Sequence, residues 1–206
     1  MSPRSYDNTG RAEQARATRR RILEAARDLI VERGPAAITM RDIAERARVS
    51  PETLYKTFGT KSALVKDVYD VTLAGDDEDV SMSDRPGHQA IRAATDVREK
   101  LVLYAALARA VSERVGPLLS KLQAAAQSGD PDMRDIVATT DAERLAGATY
   151  FVETGWLRPG LELTRARDIV WTLNSPQLYQ MLVGERGWSP QEYERWLAKA
   201  LGDALT

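Results

Sequence analysis

The chain has 206 residues, of which 43% are hydrophobic and 29% are charged, with no cysteine and a single histidine. This composition is typical of a globular protein that is long enough for one large core or two small ones. The absence of cysteine excludes disulfides, thiol catalysis and cysteine-based zinc sites. No apolar run approaches the roughly 18 residues needed to span a bilayer, so we expect a cytoplasmic protein without membrane contact.

Little in the sequence favours an enzyme. His88 is the only histidine, and it has no second histidine, cysteine or plausible serine partner with which to form a metal or catalytic site. A phosphate-binding loop is also missing. We therefore expect no catalytic residues, no cofactor and no metal.

Charge is distributed unevenly along the chain, although the net charge is only −1. Residues 1–61 hold 13 Lys and Arg against 8 Asp and Glu, whereas the remainder holds 16 against 22. A basic N-terminal module joined to an acidic body is typical of a protein that binds phosphate groups through one end only.

The first ten residues are polar and are expected to be disordered in the free protein. An arginine run follows, and it is interpreted either as the solvated face of a helix or as a phosphate or minor-groove contact. The apolar spacing from Ile22 to Ile30 predicts an amphipathic helix that ends at Gly34-Pro35. The run consists of Arg11, Arg16, Arg19, Arg20 and Arg21.

Residues 36–61 predict two short helices joined by a tight turn. Thr39 is positioned to cap the first helix, with Asp42 as its reciprocal partner. Ser50 caps the second helix, Pro51 occupies its first position, and Gly59 ends it. Two helices this short need a neighbouring helix to cover their apolar faces, and the arrangement is a helix-turn-helix. The polar side chains predicted to remain exposed on the second helix are Glu52, Thr53, Lys56 and Thr57, beside Tyr55.

A further helix follows Gly59, with Thr60 as its cap and Leu64, Val68 and Val71 inward. Lys61 lies in its first turn, where the helix dipole disfavours a cation. A bound phosphate would remove this penalty, so Lys61 is predicted to contact DNA.

The stretch from Ile22 to Val71 resembles the DNA-binding domain of the TetR family of transcriptional regulators. This resemblance implies an all-helical homodimer, a C-terminal domain that binds a small effector, and loss of DNA affinity when the effector binds. The sequence departs from the family pattern at Arg48, where the turn usually has glycine, and at Thr57, where an aromatic residue or histidine is common. The matching segments are Ile22-Leu23-Glu24-Ala25-Ala26, Thr39-Met40-Arg41-Asp42-Ile43-Ala44, Val49-Ser50, Thr53-Leu54-Tyr55 and Phe58-Gly59-Thr60-Lys61-Ser62-Ala63-Leu64.

Residues 75–87 are polar and acidic and are predicted to form a solvated linker. A cation site built from the four carboxylates of residues 76–79 is the alternative, although they lack a glycine-turn loop.

The C-terminal body is predicted to be helical throughout. Residues 101–108 are apolar on every side of the predicted helix, so this helix should lie at the centre of its domain. Gly116-Pro117 should break or kink it. Another helix should run from Asp130-Pro131 to Gly155. Three more should begin at Thr164, at Ser175-Pro176 and at Ser189-Pro190, where Ser189 and Glu192 form a capping box.

Together these elements predict an all-α fold, with an N-terminal three-helix helix-turn-helix domain and a larger helical domain for effector binding and dimerisation. The predicted domains are residues 1–74 and 75–206. By resemblance, residues 175–186 and 189–205 form the dimer interface, and the alternative is that they only close the core. The predicted interface residues are Leu178, Met181, Tyr193, Trp196, Leu197 and Leu201.

Specific roles can be assigned to the DNA-facing residues. Lysine favours guanine acceptors and glutamate favours the cytosine amino group, so Glu52, Thr53 and Lys56 are predicted at base edges. The predicted phosphate contacts, which would set the register on the duplex, are Thr39, Ser50, Tyr55, Thr57 and Lys61.

An effector pocket is expected inside the body, between helices that also touch the helix after Gly59. The alternative for each candidate lining residue is that it belongs to the core, and the scarcity of buried charge favours an apolar effector. The predicted function is a repressor that binds a palindromic operator as a dimer and is released by ligand. An activator, or an architectural DNA-binding protein without an effector, are the alternatives. The candidate lining residues are Tyr104, Leu107, Phe151, Trp156 and Trp171.

Overall fold

The structure, a computed structural model, describes residues 8–153 and 156–206. Every regular element in these two ranges is helical, as the sequence predicts. Two single turns of 3-10 helix, Pro35–Ala37 and Met82–Asp84, lie between longer helices. The longer helices are α1 (Asn8–Arg33), α2 (Met40–Ala47), α3 (Pro51–Phe58), α4 (Lys61–Ala74), α5 (Pro86–Ala93), α6 (Val97–Gln127), α7 (Pro131–Val152), α8 (Leu163–Leu173), α9 (Pro176–Tyr179) and α10 (Pro190–Leu205).

The predicted helix caps are present. Thr39 and Asp42 form a reciprocal capping box at α2, and Ser189 and Glu192 form another at α10. The Ser50 hydroxyl accepts a hydrogen bond from the Thr53 N–H at the start of α3. These local bonds satisfy backbone donors that have no partner inside the helix, which is why capping residues mark helix starts so reliably.

The first hydrophobic core crosses the predicted domain boundary. It joins the apolar faces of α1, α2, α3 and α4 to the C-terminal half of α6 and the start of α7, including Leu118, Leu122 and Met133. The helix-turn-helix is therefore packed directly on the body. Division of the chain after residue 74 stays a prediction about folding units.

The second core lies among α5, the first half of α6, α7, α8, α9 and α10. Tyr104 of α6 stacks on Phe151 of α7 with ring centroids 3.9 Å apart. The centroids of Tyr179 and Tyr193 lie 4.9 Å apart in an edge-to-face arrangement. Helix α6 packs against elements from both cores, so it is the central element of the fold.

Several predicted helix bounds are wrong. Helix α6 continues through Pro117 to Gln127, so the predicted break at Gly116-Pro117 is wrong, whereas the alternative of a kink stays a prediction. Packing on both sides of Pro117 holds the two halves in one helix, although Pro117 has no N–H to bond to the preceding turn. Helix α8 begins at Leu163 with Glu162 at the N-cap position, two residues before the predicted cap Thr164.

The start of α1 also differs from expectation. Residues 8–10 belong to α1, so the predicted disorder is wrong for them, and it lies outside the described residues for 1–7. The predicted helix end at Gly155 also lies outside the described residues. Helix α9 continues as a short π-helical segment, Gln180–Glu185.

Residues 101–108 are not surrounded by protein as expected, because one side of this helical segment is exposed. Val102 is 48% exposed, whereas Leu101 and Ala105 are buried. An apolar run places a helix near the centre of a domain, but one face of α6 still reaches the surface. Within residues 8–153 and 156–206, no helix combines the length and the apolar character that crossing a membrane would require.

Candidate nucleic-acid interface and effector cavity

The turn between α2 and α3 is made by Arg48, which adopts the left-handed conformation with φ 55° and ψ 48°. Among the described residues, Arg48 alone has a positive φ without being glycine. Its N–H bonds to the Glu45 carbonyl at 3.1 Å, and the Val49 N–H bonds to the Ala44 carbonyl at 3.0 Å. The turn therefore keeps the helix-ending hydrogen bonds that glycine would allow, at a conformational cost of roughly 1 kcal/mol.

Helix α3 buries one face and exposes the other. Leu54 and Phe58 are buried, whereas the Tyr55 side chain is 54% exposed. Glu52, Lys56 and Thr57 are exposed as predicted, and Thr53 is half-buried. The exposed face thus presents a phenol, an ammonium and a carboxylate on one short helix, which is a hydrogen-bonding surface suited to a major groove.

The hydroxyl groups of this face already have partners inside the helix. The Ser50 and Thr53 hydroxyl oxygens lie 3.1 Å apart, and the Thr57 hydroxyl donates to the Thr53 carbonyl at 2.8 Å. Glu52 accepts hydrogen bonds from its own N–H and from Ser50, which lower the pKa of its carboxyl. Lys56 makes no ion pair or hydrogen bond within the described residues. Lys56 and Tyr55 are therefore the groups of α3 that a nucleic acid could engage without breaking an internal bond.

Thr39 is occupied in the capping box. Its N–H and its hydroxyl both donate to the Asp42 carboxylate at 2.7 Å. These bonds lower the pKa of the Asp42 carboxyl. Thr39 positions the start of α2, and a phosphate contact by its hydroxyl stays a prediction.

Lys61 has a structural role that the sequence did not indicate. Its ammonium donates to the carbonyl oxygens of Pro35 and Ile38, the latter at 2.6 Å. These carbonyls lie in the connection between α1 and α2, so Lys61 ties the start of α4 to that connection. The bonds explain a lysine in the first turn of α4 without any anion, and its predicted phosphate contact remains untested.

Part of the arginine run holds α1 against neighbouring elements. Arg19 pairs with Asp67 of α4 at 2.7 Å, and its guanidinium lies 5.5 Å from the centroid of the Phe58 ring. Arg20 pairs with Asp77 at 2.9 Å. Neither interpretation of the run anticipates these contacts, because both place the arginines in solvent or on DNA.

A cavity of about 1380 Å³ lies between α1, α4, α5, α6 and α7 and reaches the start of α9. Three of the five predicted effector contacts, Tyr104, Leu107 and Phe151, line it. Trp156 and Trp171 do not. The Trp156 ring packs edge-on against Phe151 at 5.2 Å, and Trp171 lies beneath the Arg144 guanidinium at 4.4 Å. Helix directions cannot be derived from spacing alone, so bulky residues of the second core were indistinguishable from cavity residues.

Polar groups that the sequence analysis missed also line this cavity. Lys100 and Ser112 of α6 are only 7% and 2% exposed, and neither side chain makes a hydrogen bond or ion pair within the described residues. Arg144 donates to the Asn174 side-chain oxygen at 2.8 Å, and the Asn174 amide nitrogen donates to the Tyr104 hydroxyl. The sequence carries one signal that could have indicated these groups. Lys100 and Tyr104 are four residues apart, so they share a face of α6, and Ser112 lies eight residues further along the same helix.

The single histidine faces the same cavity. His88 Nδ1 is buried without a hydrogen-bond partner in the described part of the chain. Burial, and then the nearby positive charges of Arg92 and Arg85, lower the pKa of its imidazole. His88 is therefore kept neutral near pH 7.

The acidic segment is tied to arginines. Asp76 accepts from Arg85 at 2.6 Å, which lowers the pKa of the Asp76 carboxyl, and Asp77 pairs with Arg20. Within the described ranges, no three Asp, Glu or His side chains are grouped so that they could hold a metal ion. The segment therefore closes one side of the cavity through ion pairs.

Half of the predicted dimer residues are internal to one chain. Tyr193, Leu197 and Leu201 are 0% exposed, so they complete the second core. Leu178 and Trp196 are half-buried, and Met181 is 52% exposed. A contact of these segments with a second copy must use this outer face, and the interface stays a prediction.

The fold and the exposed face of α3 define a helix-turn-helix DNA-binding protein. Residues 22–68 match the family of bacterial regulatory proteins described as the tetR family. The N-terminal module is thus a DNA-binding domain of the tetR type.

Relatives by sequence match mainly this N-terminal module. The chain is 52% identical to the HTH-type transcriptional repressor Rv3405c of Mycobacterium tuberculosis over 62 residues, which are 30% of this chain and 31% of that protein. The match thus spans about a third of that repressor. A longer match covers 81% of this chain and 79% of the HTH-type transcriptional regulator YdeS of Bacillus subtilis, at 28% identity over 170 residues.

Solved structures extend the likeness of fold to most of the chain. NalD of Pseudomonas aeruginosa, the secondary repressor of the MexAB-OprM multidrug efflux pump, superimposes with a TM-score of 0.71 at 18% identity, covering 94% of this chain and 98% of that chain. The transcriptional regulator FadR of Bacillus subtilis, solved in complex with stearoyl-CoA, superimposes with a TM-score of 0.70 at 15% identity, covering 91% and 99% of the two chains. At these identities the comparison concerns the fold alone.

Proposed function

We propose that the chain is a transcriptional repressor that binds a palindromic DNA operator as a homodimer and leaves the operator when a small effector binds. The N-terminal module would provide DNA binding, and the cavity would receive the effector. The match to a named repressor and the shared fold with NalD support this direction of regulation.

DNA binding is assigned to the exposed face of α3. Lys56 and Glu52 would contact base edges, and Tyr55 would contact phosphate. A single helix-turn-helix reads few bases, whereas two copies spaced about 34–36 Å apart on one face of DNA read a palindrome. Dimerisation would supply this spacing, with residues 175–186 and 189–205 as the proposed interface.

One observation carries the proposal of effector release: α4 contributes both to the DNA-binding module and to the cavity wall. Only two residues separate it from the end of α3, and Tyr69, Asp70 and Leu73 in its later turns line the cavity. An effector inside the cavity would therefore contact the helix on which the recognition helix rests.

The contacts of α4 with the body give this coupling a physical route. Lys66 of α4 donates to Glu143 of α7 at 3.0 Å, and Arg114 of α6 donates to the Leu73 carbonyl at 2.9 Å. An effector that binds better to a body with these contacts rearranged would shift the population toward that state. The two recognition helices of the dimer would then no longer match the spacing of the groove. FadR solved with stearoyl-CoA shows that a protein of this fold accommodates a ligand.

The test is selection of bound sequences from a randomised duplex pool by the purified full chain, followed by footprinting on DNA upstream of its own gene. We expect an enriched inverted repeat and a short protected site. Lys56→Ala should weaken binding to this site about tenfold or more, corresponding to the loss of one base contact. Lys121→Ala, which changes a lysine on α6 outside the module, serves as the matched control and should leave affinity unchanged.

Two outcomes would contradict the proposal. Uniform coverage of DNA without an enriched repeat would favour an architectural protein. Equal affinity of the Lys56→Ala variant and the unmodified chain would remove α3 from the interface. An activator differs from a repressor only in the position of the operator relative to the promoter, so mapping the site distinguishes the two.

A further inference from the structure

We propose that the cavity binds an effector with one anionic oxygen group, of the carboxylate type, on an apolar body, and that Lys100 and Tyr104 hold the anion. This proposal rests on the proposed role of the cavity as effector site and specifies its ligand. It replaces the sequence-based expectation of a purely apolar effector.

Lys100 supplies the charge. Its side chain lies on the cavity wall, the residue is only 7% exposed, and no carboxylate lies within ion-pair distance in the described part of the chain. The Lys100 ammonium is not among the fully enclosed polar atoms without a partner, so it reaches the open space of the cavity, where an anionic ligand would complete the pair.

Tyr104 supplies a second donor one helical turn away. Because Arg144 donates to the Asn174 side-chain oxygen, the amide of Asn174 is oriented with its nitrogen toward the Tyr104 hydroxyl. The hydroxyl oxygen therefore accepts, and its own proton has no acceptor among the described residues. Burial raises the pKa of this phenol, so the proton is retained at physiological pH. A ligand at this end of the cavity meets two donors and must offer acceptors.

The other cationic groups of the cavity wall mostly have partners already. Lys66 pairs with Asp70 and Glu143, Arg85 pairs with Asp76, and Arg144 pairs with Asp141. Arg16 also lines the cavity without an ion pair in the described part of the chain, but it is exposed, whereas Lys100 is buried beside Tyr104 and matches one negative charge on the ligand. Two adjacent donors match the two oxygens of a carboxylate.

The remaining wall of α6 is largely apolar. Leu107, Val111 and Val115 follow Tyr104 along the same side of the helix and line the cavity. From Lys100 to Val115 this side extends about 22 Å at the ordinary helical rise. An amphipathic ligand would place its anion at Lys100 and its apolar body along these residues.

The experiment measures binding of matched probes to the full chain by isothermal titration calorimetry, without DNA. The probes are decanoate against decanamide and phenylbutanoate against phenylbutanamide, which share a skeleton and differ in charge. We expect an acid to bind about tenfold or more tightly than its amide. Lys100→Met should remove this preference, and Tyr104→Phe should reduce acid affinity about threefold to tenfold. Lys121→Met, on the same helix but outside the cavity, should behave as the unmodified chain.

Thermal melting gives a second readout. Saturating acid should raise the melting temperature of the unmodified chain but not that of the Lys100→Met variant. Equal binding of acids and amides, or binding of neither, would overturn the anion site. Since DNA is absent, these results leave operator binding standing. Conversely, an acid that binds through Lys100 without releasing operator DNA would contradict the proposed release of the operator by an effector. The anion site would then still stand.

Discussion

Lys61 shows how one side chain can connect three elements. Its ammonium donates to the carbonyls of Pro35 and Ile38, between α1 and α2, from the first turn of α4. Replacement by methionine keeps most of the aliphatic stem and removes the donor, so two carbonyl oxygens lose their charged partner. We expect Lys61→Met to lower the free energy of unfolding by about 1–3 kcal/mol, measured by urea denaturation at pH 7.

Lys56→Met is the matched control for this prediction. Lys56 is exposed on α3 and makes no ion pair within the described residues, so its replacement should change stability by less than about 0.5 kcal/mol. If Lys61→Met left stability unchanged and only weakened DNA binding with a smaller salt dependence, Lys61 would instead be a phosphate contact, as the sequence alone indicated.

Residue-level features were predictable where their physical cause is local. The capping boxes at Thr39 and Ser189 follow from side chains three residues apart, and the left-handed Arg48 stands where the resemblance to the TetR family implies glycine. The partners of Lys61 and the cavity position of Lys100 were not predictable, because both depend on which helices meet. Sequence spacing shows which residues share a helix face, but it does not show what lies opposite that face.

At the level of elements, α6 is the clearest failure of local rules. A Gly-Pro pair normally ends a helix, yet α6 runs through Gly116-Pro117 because Val115, Leu118 and Leu119 are buried in the first core. Burial of these side chains outweighs one missing backbone hydrogen bond and the crowding of the proline ring.

The cost of that proline can be measured. Pro117 is exposed, so Pro117→Ala restores the N–H without opening a cavity. We expect the variant to raise the free energy of unfolding by about 1–3 kcal/mol. Lys121→Ala, one turn further along, should have an effect below about 0.5 kcal/mol. A destabilised Pro117→Ala protein would mean that the core is fitted to a helix bent at this position.

At the level of the molecule, the shared first core means that the DNA-binding module and the body are packed as one unit. Helix α6 contributes Lys100 and Tyr104 to the cavity, and through Leu118 and Leu122 it also packs against the helix-turn-helix core. Ligand binding in the cavity can therefore affect the DNA-binding module by two routes, directly through α4 and through α6. All-helical class and element order were readable from the sequence, whereas this continuity across residue 74 depends on tertiary packing.

Dimerisation is the remaining requirement for reading a palindrome, and the burial pattern identifies the residue that tests it best. Trp196 is half-buried and its ring packs against Trp188 and Tyr193, so a charge there would damage the core of a single chain. Met181 is 52% exposed on the segment after α9 and offers a cleaner site. Leu163 on α8 has the same exposure of 52% and lies outside the proposed interface, which makes it a matched control.

We expect Met181→Glu to convert a dimer into a monomer in size-exclusion chromatography with light scattering, because a carboxylate buried at a self-complementary contact meets its own copy across the two-fold axis. Leu163→Glu should remain dimeric. Thermal melting should show both variants folded, since each site is exposed in the single chain. The monomer should bind the inverted repeat about a hundredfold more weakly, because it contacts one half-site at a time and loses the avidity of a dimer that binds both. A Met181→Glu protein that stays dimeric and keeps operator affinity would move the interface away from residues 175–186.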